Sequence, residues 1–196
     1  MNALAKVPVW MSLEQFLAWN PGGEQLWQLV NGVPHQMAPP STIHGALQSE
    51  LARLIGNHLR AQGKGCRVLT TPGVILGVLS STNMRVPDLA VTCSPLEARQ
   101  SSVTDPILVI GILSPSNQAE TRANVLAYST IPSVQDILLV QSEFVGSELM
   151  RRGTDGTWPK NPTTIETGDI LLNSIGMTLP LLDIYEGTPL WRPPAA

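Results

Sequence analysis

The sequence predicts an α/β (α+β) fold, a mixed central β-sheet flanked by helices. Three observations carry this. The run Ile107-Leu-Val-Ile-Gly-Ile-Leu113 is apolar throughout and stops at Ser114-Pro115-Ser116-Asn117. A short apolar run ending in a turn reads as a strand buried on both faces. Leu47, Leu51, Leu54, Ile55 and Leu59 fall at i, i+4, i+7, i+8 and i+12, which is one face of a long amphipathic helix. Further strand-like runs surround two longer helical segments, the pattern of helices packed on a sheet.

In chain order, residues 1–10 read as a loose lead-in. Ser12-Leu-Glu-Gln15 forms a capping box for a short helix from Leu13 to Trp19, which Asn20-Pro-Gly-Gly23 ends. Gln25–Val30 alternates and meets Asn31-Gly32, a type I′ hairpin signal. Val33–Met37 is the return strand, held to a sheet edge by Pro34. Ser41 or Thr42 caps the long helix, which closes near Gln62-Gly63. Cys66–Leu69, Gly73–Leu79 and Val86–Val91 read as strands, and residues 94–105 as irregular.

After the central strand, Asn117 and Glu120 are spaced as a capping box for a helix reaching about Tyr128, where Ile131-Pro132 breaks it. Asp136–Gln141 and Phe144–Arg152 follow as strands, with Gly153-Thr-Asp-Gly156 as a hairpin turn. Asp169–Leu172 and Met177–Leu182 complete the set. No repeat or long linker divides the chain. The expectation is one domain over residues 1–196, its core about 12–187, with flexible tails at 1–10 and 190–196.

Composition narrows function by exclusion. Lys and Arg number 12 against 15 Asp and Glu, so no global electrostatic footprint for nucleic acid exists. No apolar run approaches the ~18 residues of a membrane span, and no signal-like segment opens the chain. A cytoplasmic protein is expected. Cys66 and Cys93 lack the spacing of a zinc site and read as reduced thiols in or near the core.

The ordered pieces Leu13-Glu-Gln-Phe-Leu17, Leu29-Val-Asn-Gly32, Met37-Ala-Pro-Pro-Ser41 with His44, Pro72-Gly-Val74, Pro87-Asp-Leu-Ala-Val91, Leu113-Ser-Pro-Ser116 and Leu126-Ala-Tyr128 span about residues 12–187. In order and spacing they resemble the Uma-type restriction endonuclease family, within the PD-(D/E)xK nuclease superfamily. The pairing of Pro-Asp-Leu-Ala-Val with Leu-Ser-Pro-Ser at this distance carries most of the resemblance. It implies a restriction-endonuclease-like fold and a magnesium ion held at the splayed ends of two strands. It also implies a lysine that activates water for phosphodiester hydrolysis in DNA. Relatives of this fold often pair, so a homodimer is plausible.

The chain departs from that pattern at nearly every charged position. Asp88 matches the first acid. Gly111 stands where the second belongs, and Asn124 where the lysine belongs. The family's Tyr-Glu-Leu-Ile-Asp-Gly-Glu stretch is Trp27-Gln-Leu-Val-Asn-Gly-Val33, with Gln28, Asn31 and Val33 at its acids. With Asp88 and backbone carbonyls such as that of Ile112 as the remaining ligands, magnesium binding should be weak at best. Without the lysine, no obvious group handles the water's proton.

Glu120, one turn before Asn124, could reach the site, although a capping role suits it better. His44 is a candidate to line the cleft. Arg122 points away from the missing lysine and reads as solvated, as do Arg151 and Arg152. The expected function is a degraded, impaired nuclease. The alternatives are an active enzyme using Asp88 with helper residues, or a non-catalytic binding or assembly protein. Asp88, Gly111 and Asn124 should converge in space if the alignment is right.

Overall fold

The computed structural model describes residues 9–19, 21–23, 25–115 and 117–191. The chain folds into mixed sheets flanked by helices. Its elements in order are α1 (Leu13–Ala18), β1 (Trp27–Val30), β2 (Val33–Gln36), α2 (Thr42–Gln62), β3 (Arg67–Thr70), β4 (Gly73–Ile75), β5 (Met84–Arg85), β6 (Leu89–Thr92), β7 (Ser102–Val103), β8 (Leu108–Leu113), α3 (Gln118–Ser129), β9 (Asp136–Gln141), β10 (Ser147–Arg151), β11 (Thr163–Ile165), β12 (Asp169–Leu172) and β13 (Met177–Pro180). A 3₁₀ turn, Leu181–Tyr185, follows.

The main sheet has the order β11-β10-β9-β8-β6-β3. β8 and β9 run parallel, joined through α3, and the remaining pairs of this sheet are antiparallel. β8 lies in its middle, and all six of its residues are buried. Its even positions, Leu108, Ile110 and Ile112, pack toward Leu47, Leu51, Ile55 and Leu59 of α2. Its odd positions, Val109 and Leu113, pack toward Val125 and Tyr128 of α3. The period-2 alternation of a strand thus gives the two faces to two different helices. A smaller sheet, β2-β1-β5-β4-β7, stands beside it around Phe16, Leu29 and Met84.

Local signals explain most boundaries. Ser12 and Gln15 make the reciprocal capping box. Asn31 and Gly32 turn with φ of 51° and 83°, which joins β1 to β2, and Pro34 sits on the outermost strand. Ser41 caps α2, and Gly63 ends it in the left-handed conformation at φ 65°.

Several expectations are corrected. The strand expected over Val86–Val91 begins only at Leu89 and runs to Thr92 in the main sheet, and a separate short strand, Met84-Arg85, precedes it in the small sheet. β4 ends at Ile75, β7 forms within the stretch 94–105 read as irregular, and β11 forms where no element was expected. Asn117 makes no side-chain cap on α3; its amide instead accepts from the Ser114 N–H (2.8 Å) and donates to the Ile112 carbonyl (3.2 Å). Arg151 is paired with the fully buried Asp136 (2.9 Å). Arg152 donates to the Ile131 carbonyl (2.7 Å) and lies over the Trp158 ring. Arg122 is exposed, in keeping with its solvated reading, and in addition pairs with Glu148 through two bonds of 2.6 and 2.7 Å.

The cysteines are not reduced core thiols. Cys66 and Cys93 form a disulfide joining the residues just outside the β3–β6 pairing. Each looks ordinary in sequence, and only the antiparallel register brings them together. The expected tails lie largely outside the described residues.

Candidate functional site

The site begins with a register. β6 pairs with β8 as Ala90↔Val109 and Leu89↔Ile110. One step further along the same ladder, Asp88 faces Gly111. Alternation puts both on the sheet face that packs against α3. There α3 brings Thr121, Asn124 and Tyr128 down one side, at helical spacing. Asp88, Gly111 and Asn124 therefore line one cleft of about 110 Å³, as the sequence alignment requires. Leu26, Met37, Pro39, Pro40 and Val86 form its apolar walls, and His44, Gln48, Asn117 and Glu120 add polar groups.

Each carboxylate oxygen of Asp88 meets one group of the protein. Its Oδ1 lies 2.6 Å from Nε2 of the buried His44, and its Oδ2 accepts the Ile112 N–H at 2.6 Å. Its carbonyl accepts from Gln48 Nε2 (2.8 Å) and from the Thr71 N–H (2.9 Å). His44 reaches it because Ser41 starts α2 just above the end of β6.

Opposite Asp88, the space beside Gly111 is filled. A Cβ at that position would lie 2.9 Å from Thr121 Cγ2 and 3.1 Å from Leu139 Cδ2. The first is closer than real Cβ contacts come and the second tighter than most, so the Thr121 and Leu139 side chains would have to shift to admit a side chain there.

A polar chain crosses the back of the cleft. Gln28, buried on β1, donates to the Glu120 carboxylate at the cleft mouth and faces Asn124 Nδ2 at 3.4 Å. Asn124 Oδ1 accepts from Arg85 Nε at 2.9 Å, and Arg85 Nη1 donates to the Leu29 carbonyl. Arg85 is buried, and desolvation lowers its pKa from the usual arginine range. The Tyr128 hydroxyl has no hydrogen-bond partner among the described residues. Burial, and then the charges of Asp88 and Glu120, push its pKa well above the ordinary tyrosine range.

The structure brings the sequence-predicted residues Asp88, Gly111, Asn124, His44 and Glu120 together along one cleft, with Gln28 behind it bonded to Glu120 and Asn124, and Glu120 does not make the cap that its spacing suggests. Sequence reasoning misses Arg85, Gln48 and Thr121. The signal for Arg85 was present as a lone cation between Met84 and Val86 in an apolar stretch. Gln48 and Thr121 look like ordinary helix positions, and only packing gives them a role.

The donor set does not fit a resident magnesium ion. Magnesium requires open oxygen ligands in near-octahedral geometry. Asp88 is the single carboxylate at these strand ends: Gly111 offers none, and each Asp88 oxygen and the Ile112 carbonyl already accepts one hydrogen bond from the protein. Among the described residues, no cluster of three His, Cys, Asp or Glu side chains has metal-binding geometry.

Residues 13–181 match the family profile described as "Uma2: Putative restriction endonuclease". The chain is 30% identical over 180 residues to an uncharacterised protein, slr1290, of Synechocystis sp. (strain ATCC 27184 / PCC 6803 / Kazusa); the match spans 90% of this chain and 92% of that one. It is also similar to the crystal structure of a putative nuclease belonging to DUF820 from Anabaena variabilis ATCC 29413. That match has a TM-score of 0.71 and 22% identity, covering 89% of this chain and 97% of the other. At that identity the likeness speaks for the fold.

Proposed function

The chain belongs to the Uma2 restriction endonuclease family, and from that membership we propose a nuclease-fold protein whose metal centre is degraded. In this reading, magnesium-dependent cleavage of DNA is impaired or lost, while the single nuclease-like domain and its cleft persist. The observation that carries it is the closure of the space beside Gly111 by Thr121 and Leu139. A position that had merely lost its acid would leave a gap, whereas this one is packed. The engagement of Asp88 by His44 and Ile112, and of Asn124 by Arg85, supports the same conclusion.

What remains is a cleft on a protein with no excess of basic residues. Tight non-specific DNA binding draws on phosphate neutralisation, so any retained nucleic-acid role rests on a local surface and falls steeply with salt. A cytoplasmic, homodimeric binding or assembly protein is the form this reading takes.

One observation favours a second reading. Glu120 turns from its cap toward the cleft mouth, where it could serve as a helix-borne acid in an active enzyme. Plasmid cleavage and calorimetric metal binding, with magnesium and with manganese, separate the two. Wild type is expected to bind neither ion measurably and to leave the plasmid intact. The triple variant Gly111→Glu, Thr121→Ala, Asn124→Lys is expected to gain manganese binding. Cleavage by wild type that is abolished in both Asp88→Ala and Glu120→Gln would replace the first reading with the second.

A further inference from the structure

We propose that β3 is the docking edge for a second copy of this chain, the two β3 strands pairing antiparallel about a two-fold axis at Leu69. The two main sheets would then run on as one.

The case starts from backbone polarity. β3 ends the main sheet and pairs with β6 alone. The Thr71 N–H donates to the Asp88 carbonyl at 2.9 Å, which identifies residues 71, 69 and 67 as those bonded to β6. In an antiparallel ladder the alternate residues turn their polar groups the other way. The N–H and C=O groups of Val68 and Thr70 therefore point outward, and among the described residues none has a hydrogen-bond partner.

The other edges of the two larger sheets are blunted. β2 carries Pro34, β7 has two residues, and β11 has three. β3 has four residues, no proline, and Val68-Leu69 at its centre. Proteins usually interrupt such an edge with charge, proline or a bulge. β3 carries a single charge, Arg67 at its first position, and the adjoining Cys66–Cys93 disulfide ties the strand to β6.

Self-pairing satisfies these groups. With Leu69 opposite Leu69 of the second copy, Val68 faces Thr70 of that copy and Thr70 faces its Val68. Each such pair exchanges two hydrogen bonds.

Charge then commits the edge to a second copy. In this register Arg67 lies opposite Thr71 of the other chain, on the sheet face that carries Leu69. A groove along this edge, lined by Val68, Leu69, Thr70 and Pro72, has Glu97 and Gln100 on its other wall. Arg67 donates to the Gly65 carbonyl, and neither Arg67 nor Glu97 has an ion-pair partner among the described residues. The two-fold brings Arg67 of each copy to Glu97 of the other.

Sedimentation across a concentration series, with amide hydrogen exchange, tests this. Wild type is expected to dimerise, with protection at the Val68 and Thr70 amides rising with concentration. Thr70→Pro removes an outward N–H without breaking an internal bond, and it should leave a folded monomer, checked by circular dichroism. Arg67→Glu should weaken the dimer about tenfold, since attraction turns to repulsion in two symmetric pairs. Arg67→Glu combined with Glu97→Arg should restore it. If Thr70→Pro fails to fold, the charge swap decides. A protein that stays monomeric overturns the proposal, as does a dimer indifferent to these substitutions with both amides unprotected. Neither outcome depends on whether the cleft cleaves DNA.

Discussion

The Thr121 methyl carbon lies 2.9 Å from where a side chain at Gly111 would begin, and a methyl carbon of Leu139 lies at 3.1 Å. Two opposed effects therefore meet in Gly111→Ala. Removing glycine from a strand interior favours folding by about 0.5–1 kcal/mol. Overpacking a buried position between fixed neighbours costs about 1–3 kcal/mol. The overpacking should win, so Gly111→Ala lowers stability, and adding Thr121→Ala recovers much of the loss. Urea unfolding of both singles and the double variant measures the coupling. A stabilised Gly111→Ala would mean that the space is open.

Asp88 gives the second prediction. A carboxylate kept free for catalysis often leaves a protein as stable or more stable when it is removed. Here Asp88→Ala strands the buried His44 ring and the Ile112 N–H. Leaving buried donors unmet costs about 1–3 kcal/mol. Asp88→Ala is therefore expected to lower the denaturation midpoint clearly. An unchanged or raised midpoint would return Asp88 to the role of a catalytic ligand in waiting.

Arg85 makes the position of the missing lysine costly to restore. Its guanidinium is buried and hydrogen-bonded to Asn124. Asn124→Lys would remove that acceptor and set a second cation beside the first. The variant should lose stability, by about 1.5–3 kcal/mol if the charge-assisted bond is lost outright. Combining it with Arg85→Met should recover part of that loss, by removing the like charge. Thermal melts of the two singles and the double variant follow both effects, and strictly additive losses would show that the residues do not interact.

These residues also mark how far the sequence could be read. The Asn31-Gly32 turn, the Ser41 cap and the Gly63 stop are local signals, and each held because the chemistry lies within a few residues. The convergence of Asp88 with Gly111 was legible through motif order, and the β6–β8 register supports it. The contents of the space between them were not legible. Thr121 looks like any helix residue until α3 is laid on the sheet, and Arg85 gains its partner from a helix 39 positions away. Glu120 shows the hazard of local reasoning: its spacing to Asn117 suits a cap, yet Asn117 turns back to the Ser114–Ile112 corner. The two cysteines misled for the same reason, since their pairing is a property of sheet register.

The Cys66–Cys93 bridge closes a loop with a sequence separation of 27. Cross-linking a loop of that size limits the unfolded chain and stabilises the fold by about 3 kcal/mol. Reduction, or the double change Cys66→Ser with Cys93→Ser, should lower the urea midpoint by a corresponding amount. Both sulfurs sit at the end of β3–β6 remote from Asp88, so the cleft should keep its geometry. Such bridges persist in oxidising surroundings and are rare in reducing ones. Thiol labelling of the protein taken directly from cells therefore tests the expected cytoplasmic location: a reduced pool fits it, and a fully oxidised pool argues for an oxidising compartment.

The chain has two tyrosines, Tyr128 and Tyr185, and both are buried. Burial raises the pKa of each; Tyr185 is pushed up to about 12, although its bonds to Gln141 and Gly146 pull the other way. A raised folded-state value means the native protein holds these protons more tightly than the unfolded chain does. The contribution to stability is therefore complete below the unfolded value of about 10 and is lost as pH rises from there through about 12. Tyr185→Phe should lose about 1 kcal/mol at neutral pH from its hydroxyl bonds, and it should show a shallower alkaline decline. In a spectrophotometric titration, tyrosinate absorbance should stay flat past pH 10 and then rise together with loss of the circular dichroism signal. A gradual rise near pH 10 with the fold intact would place at least one of these hydroxyls in contact with water.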